Sequence, residues 1–424
     1  MKAVILAAGK GERLQPITET RPKPLIPILC KPLLQWHLEV LEKIDSIEEI
    51  VIVIGYLKER IIEFLKSLKL NKPLRIVDQS IEKGTGDAVI KGIEKLDYND
   101  EVLIVYSDIF LKNWSIFEKL AKINDYVLVA ARVSNPHEYG VIVSEGEIFK
   151  GVIEKPKKPP SNLVNAGIYK LSVKDILENS DIKPSPRGEL EFTDILNKIS
   201  TNRKIRVLTI NENEWIDIGL PWNILEANKM ALASIKHQVH GVIEENVVIK
   251  PPVYIGENTL IRSGTYIEGP VYIDSDADIG PNARIRPNTV ICRKARIGFS
   301  VETKESIIME GAHIAHLSYV GDSIICEGVN FGAGTITANL RFDDKPVKVT
   351  IKGRRISSNR RKLGAIVGAY VKTGVNVSIM PGVKIGAYSW IAPGAVVYHD
   401  IPSKVFYRVK KTEYILENIN EHND

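Results

Sequence analysis

Short apolar runs alternate with amphipathic stretches through the first half of this 424-residue chain. Runs of strand length occur at Ala3–Ala8, Glu49–Ile54, Leu74–Val77, Val102–Tyr106 and Val127–Ala131. Between them, segments such as Leu34–Ile44 and Lys58–Leu68 space their apolar residues at helical intervals. This alternation predicts an α/β unit over residues 1–228: a doubly wound, mostly parallel mixed sheet with helices on both faces. Ligands on such sheets bind beyond the carboxyl ends of the strands, so Gly, Asp and Arg residues that follow a strand are the first candidates.

From about Val242 the period changes. An aliphatic residue recurs every sixth position at Ile255, Ile261, Ile267, Ile273, Ile279, Ile285, Ile291 and Ile297. The phase returns at Val367, Thr373, Ile379, Ile385, Ile391 and Val397, with Gly, Pro and Asn in the gaps. A six-residue period predicts a β-solenoid, whose coils stack and bury one aliphatic column. The expected divisions are the α/β unit 1–228, a linker helix 229–241, a solenoid 242–400 and a helical tail 401–424 that caps the open end. Two stretches disturb the period. Residues 304–320 keep the solenoid style but are rich in His and Ser, and the polar, basic stretch 339–363 breaks it outright.

Composition narrows the class. The chain is 44% hydrophobic and 26% charged, ordinary values for a soluble globular protein, and each half is long enough for its own core. A fragment ending near residue 230 is therefore expected to fold and work alone. The net charge of +5 is mild and spread out, apart from Lys352–Lys362, so neither nucleic acid nor membrane is an expected partner, while anionic small molecules suit it. The three cysteines, Cys30, Cys292 and Cys326, form no CxxC pair. That count predicts neither disulfides nor a zinc site and a reducing, cytoplasmic compartment. No apolar stretch approaches the ~18–20 residues of a membrane span.

The first candidate site follows the first strand, in Leu6-Ala-Ala8-Gly9-Lys10-Gly11-Glu12-Arg13. Glycines let backbone N–H groups approach phosphate oxygens closely, and Lys10, Arg13 and Lys23 add positive charge. A dinucleotide fingerprint fails because Leu14 stands where a third Gly is needed, and a P-loop fails because Gly11 follows Lys10. The wider pattern, Ala7-Ala8-Gly9-x-Gly11-x-Arg13-Leu14 with Pro22-Lys23-Pro24-Leu25, resembles the sugar-1-phosphate nucleotidyltransferases. The later motifs keep that order: Gln79…Gly84-Thr85-Gly86, Tyr106-Ser107-Asp108, Glu138-Tyr139-Gly140, Glu154-Lys155-Pro156, Asn165-Ala166-Gly167 and Trp215-Ile216-Asp217.

That resemblance implies a Rossmann-like domain in which a sugar 1-phosphate attacks the α-phosphorus of UTP or dTTP. Leu6, Ala8, Gly9, Gly11, Gln79, Gly84 and Thr85 would bind the nucleotide, and Arg13 and Lys23 would stabilise the transferring phosphoryl group. Gly140, Glu154 and Asn165 would hold the sugar. Asp108 and Asp217 form a carboxylate pair suited to Mg2+, which binds carboxylate and phosphate oxygens together.

The second candidate site lies in the disturbed part of the solenoid. A neutral histidine can accept a proton near neutral pH, as acyl transfer to an amine requires. The order Arg284-Ile-Arg286-Pro287, Lys304, His316-Leu-x-Tyr319-x-Gly321-Asp322, Gly332-Ala-Gly-Thr-Ile-Thr-x-Asn339 and Lys345 resembles a bifunctional family. Its members combine N-acetylglucosamine-1-phosphate uridylyltransferase with glucosamine-1-phosphate acetyltransferase. The resemblance implies a left-handed parallel β-helix and a homotrimer with its acetyl site between subunits. It makes His316 the general base, places Tyr319 and Asn339 on the amino sugar, and puts Arg286, Lys304, Lys345 and Lys348 on its phosphate. Ala369 and Ala392 would line acetyl-CoA. Where the family runs Asn-Tyr-Asp, this chain has Asn339-Leu340-Arg341, and the basic run 352–362 either meets coenzyme A phosphates or is a solvated loop. Two other readings stay open: a nucleotidyltransferase on an inert solenoid, and a non-catalytic subunit like those of translation-initiation exchange factors.

Overall fold

The computed structural model describes residues 1–410 except Ser80, Glu82 and Arg187. In chain order, strands β1 (Lys2–Ala7), β2 (Glu49–Ile54), β3 (Leu74–Asp78), β4 (Glu101–Tyr106), β5 (Tyr126–Arg132), β6 (Gly140–Glu145), β7 (Ile148–Glu154), β8 (Leu163–Ser172) and β9 (Ile205–Asn211) build one sheet. Its spatial order is β3-β2-β1-β4-β8-β5-β9-β7-β6. The strands β3, β2, β1 and β4 run parallel, and β8 is antiparallel to both β4 and β5, so the sheet is mixed. Near-continuous apolar runs make β1 and β2 central strands buried on both faces. The helices α1 (Leu33–Leu41) and α2 (Lys58–Ser67) cover them, α2 burying Ile61 and Leu65 one turn apart.

Of the segment 229–241, expected as a linker helix, only the part up to Leu232 is helical, as the end of helix α3 (Pro221–Leu232). Gln238–Val239 already pairs in parallel with Val253–Ile255, so the solenoid begins before residue 242. At the other end Phe406–Tyr407 pairs with Trp390–Ile391, so the ladder continues past residue 400. The expected terminal helix at 411–424 lies outside the described residues.

The second half is a parallel β-helix of three sheets with eight, nine and eight strands among the described residues. Eighteen residues make a coil: Ile255, Ile273 and Ile291 stack in one sheet, and Ile261, Ile279 and Ile297 in the next. These side chains are fully buried in one column. Corners fall at residues such as Asn258 and Asp276, which take the left-handed backbone that Asn and Asp tolerate. The stretch 304–320 does not leave the solenoid. It belongs to coils one residue shorter, in which Ile308 stacks on Ile291 and Ile314 on Ile297. The true excursion is 339–363, after which Val367 stacks on Ile325.

One sheet of the helix is apolar on both sides. Ile291, Ile308, Ile325 and Val367 point inward, while their neighbours Val290, Ile307, Ile324 and Ile366 point outward and are buried too. Those outward residues share a core with Leu14, Ile17, Ile28, Phe110, Ile218 and Trp222 of the first half. Each half thus keeps a core of its own, and this additional cluster joins the two. Cys30 and Cys292 meet across this contact as a disulfide, with Cα atoms 5.3 Å apart. The reading against disulfides fails here because the pairing spans 262 residues and depends on domain docking. Among the described residues no helix is long and apolar enough to cross a membrane.

Candidate active sites

A cavity of about 970 Å3 opens at the carboxyl end of β1 and β2. It is lined by Leu6, Ala8, Gly9, Gly11, Arg13, Lys23, Gln79 and Asp108, so most of the residues expected at the nucleotide and at its phosphates meet there. The loop after β1 turns at Gly11, whose φ of 65° is left-handed; a Cβ there would lie 3.1 Å from Thr18. Thr18 donates its hydroxyl to the Gly11 carbonyl at 2.9 Å, fixing the turn. Gln79 is buried and donates its amide to the Gly84 carbonyl (3.1 Å) and to Asp87 (2.7 Å).

A second, smaller cavity adjoins the first and shares Arg13, Asp108, Lys155 and Glu189 with it. Gly140, Glu154, Asn165 and Thr85 line this one, so Thr85, expected at the nucleotide, stands on the sugar side. Gly140 leaves room for Glu154, whose carboxylate would lie 2.9 Å from a Cβ placed there. Asn165 accepts from the Gly167 N–H at 3.1 Å and from the Tyr169 hydroxyl at 2.7 Å, which orients its amide. Tyr139 and Thr193 also line the wall, and burial pushes the Tyr139 phenol up to about 12, so it stays protonated.

Beside Arg13 and Asp108, which line both cavities, stands Lys23 of the larger one. Its ammonium bonds Asp108 and lies 4.0 Å from Asp217. Asp108 lies in the turn just after β4, and Asp217 is brought opposite Ile109 by the short antiparallel pairing of Ile109–Leu111 with Trp215–Asp217. The buried imidazole of His37 supports this turn, its Nε2 lying 3.0 Å from the Ile109 carbonyl. Burial pushes the Asp217 carboxyl up, the Lys23 charge pulls it back, and Asp108 adds to the rise. Two converging carboxylates beside phosphate-binding cations suit a divalent cation, although no cluster of three or more His, Cys, Asp or Glu gathers among the described residues.

In the β-helix, His316 ends the strand His313–His316 opposite Phe299 and is exposed, outside the aliphatic column. The Asn339 amide donates to the Tyr319 hydroxyl at 3.1 Å and to buried Asp322 at 2.6 Å. Asp322 also takes Lys304 at 3.2 Å, and Arg286 pairs with Glu302 at 2.8 Å. Tyr319, Asn339, Lys304 and Asp322 thus form one connected group. Lys345 and Lys348 lie apart from it in contact terms: Lys345 is in a turn made by Asp343, and Lys348 opens an antiparallel hairpin.

Ala369 does not line an opening. It is buried in the core shared with the first half, next to Gly368, whose added Cβ would meet Pro16 at 3.0 Å. Ala392 is half-buried beside Ile391, further along the sheet that carries His316. The two alanines expected at acetyl-CoA therefore occupy different corners, because they are separated by one regular coil plus about one further face.

The nucleotidyl transferase family matches residues 2–234, and the GMPPB C-terminal domain matches residues 267–361. A bifunctional sugar-1-phosphate nucleotidylyltransferase/acetyltransferase from Sulfurisphaera tokodaii is 50% identical over 96% of this chain and all of that protein. The chain belongs to this bifunctional family. A second member, the bifunctional protein GlmU of Methanocaldococcus jannaschii, is 46% identical over 99% of the chain and all of its own length. Among solved structures, a putative glucose-1-phosphate thymidylyltransferase from Bacillus anthracis covers 56% of this chain and 97% of its own, at 27% identity and a TM-score of 0.50. Membership in the bifunctional nucleotidylyltransferase/acetyltransferase family accounts for the two separated groups of polar residues, one in each half.

Several site residues were missed in the sequence. Tyr139 and Lys155 lay inside quoted motifs, and Thr193 and Glu189 carried no local signal. Lys352 also lines the first cavity, although it comes from the second half.

Proposed function

We propose that the first half transfers a nucleotidyl group from UTP or dTTP to a sugar 1-phosphate, and that the second half acetylates glucosamine 1-phosphate with acetyl-CoA. Together these steps make UDP-N-acetylglucosamine or a close relative. The observation that carries the first activity is Lys23 of the larger cavity, held between Asp108, which lines both cavities, and Asp217 of the smaller one. A sugar phosphate in the smaller cavity then faces the α-phosphorus of a triphosphate in the larger one. Its oxygen forms the new P–O bond while the α–β bond breaks and pyrophosphate leaves. Asp108 and Asp217 are the residues that would hold Mg2+, which when bound would supply charge neutralisation at the phosphate oxygens. Arg13 and Lys23 offset the negative charge that builds on the same group, so catalysis is positioning plus electrostatics.

In the second half the amine attacks the thioester carbonyl. His316 takes the amine proton, and the C–S bond breaks to release coenzyme A as its thiol. Asp322 orients Asn339, which together with Tyr319 holds the amino sugar. The exposed apolar side chains of Phe299, Leu317, Leu340 and Phe342 stand next to His316 and Asn339 in sequence or register. Their exposure supports a homotrimer in which a neighbouring copy covers this edge.

The test is a substrate matrix of sugar 1-phosphates against nucleotides and acetyl-CoA, with pyrophosphate release and thiol release read together. Glucosamine 1-phosphate should release thiol, and its acetylated product should release pyrophosphate with UTP or dTTP. Absence of thiol release with every amino-sugar phosphate would remove the second activity, and absence of pyrophosphate release the first.

A further inference from the structure

The excursion 339–363 does not hang in solvent. Its residues Lys348–Ile351 and Arg354–Ser357 pair as an antiparallel hairpin, closed by the two-residue turn Lys352-Gly353. One face of the hairpin carries Val347, Val349 and Ile351, all buried in the core shared with Leu14, Ile17, Ile218 and Trp222 of the first half. The root is held by Ser358, which donates to the Val347 carbonyl at 2.7 Å, and by Arg360, which lies 3.7 Å from Glu226. The hairpin is therefore packed along its length against the nucleotidyl-transfer domain.

Its tip reaches the larger cavity. Lys352 lines that cavity beside Gly9, Gly11, Arg13 and Lys23, and its Nζ lies 2.6 Å from the Glu12 carboxylate. Glu12 sits between the turn glycine and Arg13, so Lys352 is tethered to the loop that faces the phosphates. The turn itself does not call for lysine. Both turn residues have positive φ, 47° and 75°, where Asn-Gly or Asp-Gly is the favoured pair. A long cation at a position that disfavours its own backbone conformation, aimed at a cluster of cations, points to a ligand rather than to the turn.

We propose that Lys352, delivered by the acetyltransferase half, binds the outer phosphates of the nucleoside triphosphate, and hence the departing pyrophosphate, in the nucleotidyl-transfer site. This rests on reading the larger cavity as the triphosphate site. Glu12 parks the ammonium at the loop, and the denser charge of a polyphosphate draws it inward. The first half alone then lacks one of its phosphate ligands, and a structural excursion of one enzyme becomes part of the binding site of the other.

The experiment uses the full chain. Lys352→Gln should raise the KM for the nucleoside triphosphate about tenfold, the scale of one lost charge-assisted hydrogen bond. kcat, the sugar-phosphate KM and acetyl transfer should stay within about twofold of the parent. Lys352→Arg should restore the parent value, Lys352→Glu should exceed Gln, and added salt should shrink the difference. Calorimetric titration with inorganic pyrophosphate gives the same comparison without turnover. Equal pyrophosphate affinity in the parent and Lys352→Gln overturns the proposal, as does a change confined to the sugar-phosphate KM. A parent that shows no turnover with any nucleotide would instead remove the reading of the cavity, while the titration would still decide the role of Lys352.

Discussion

Lys23 and Asp217 face each other at 4.0 Å although 194 positions separate them, because a three-residue strand pairing lays Trp215–Asp217 against the segment after Asp108. The carboxylate is half-buried beside Lys23 and Arg13, and removing it leaves Lys23 with Asp108 alone. Asp217→Asn should lower pyrophosphate release by at least about 100-fold, the scale of losing one electrostatic contact to a transferring group. Acetyl transfer should stay near the parent rate. Unchanged pyrophosphate release at saturating Mg2+ would take Asp217 out of the reacting centre.

His316 predicts the converse. His316→Ala should cut thiol release from acetyl-CoA by about 100-fold to 10,000-fold and leave pyrophosphate release intact. The ring is exposed, so the substitution creates no cavity and the melting temperature should not move. A parallel fall in both activities would contradict two separate centres.

His37 should make the protein acid-sensitive. Burial lowers its pKa to about 4, from the 6.5 of an exposed histidine; its Nε2 meets the Ile109 carbonyl, and Asp108 is the charged neighbour that opposes the shift. Between these values the unfolded chain binds the proton and the folded chain does not, so stability rises with pH across the window. It is intact above about 6.5 and falls as pH drops towards 4, by on the order of 3 kcal/mol. Urea melts from pH 7 to pH 4 measure this, and His37→Gln should flatten that part of the profile.

The disulfide between Cys30 and Cys292 ties the halves across their contact. Cys30→Ser should cost roughly 2–4 kcal/mol, read as a lower melting temperature. Reductant should bring the parent to the same value and leave the variant unmoved. A parent insensitive to reductant would mean the thiols are not joined in solution.

A fragment ending at residue 234 should expose Ile17, Ile28, Phe110 and Trp222, which are buried against the solenoid in the whole chain. Contiguous apolar surface of this kind drives association. The fragment should elute as aggregate in size-exclusion chromatography, whereas the whole chain should not. A monodisperse, active fragment would show the shared core to be dispensable.

Much of the architecture is legible in one dimension. A six-residue aliphatic period can be satisfied only by coils of fixed length, so Ile255 through Ile297 announce a solenoid and the column that fills it. Alternating runs likewise announce the α/β unit, and the resemblance to the sugar-1-phosphate nucleotidyltransferases picks out Arg13, Lys23, Asp108, Glu154 and Asn165, which line the two cavities. The doubled aliphatic pairs Val290-Ile291, Ile307-Ile308, Ile324-Ile325 and Ile366-Val367 also carried a message: one sheet had a second apolar face to cover.

What periodicity could not reveal is which surfaces meet. The docking of the solenoid on the first half, the joining of Cys30 to Cys292, the burial of Ala369 and the arrival of Lys352 beside Glu12 all depend on the rigid-body fit of two units. Such contacts pair residues hundreds of positions apart, and no local spacing encodes them. They are selected by burying apolar area and matching charge in three dimensions, which a pattern along one strand or coil does not constrain.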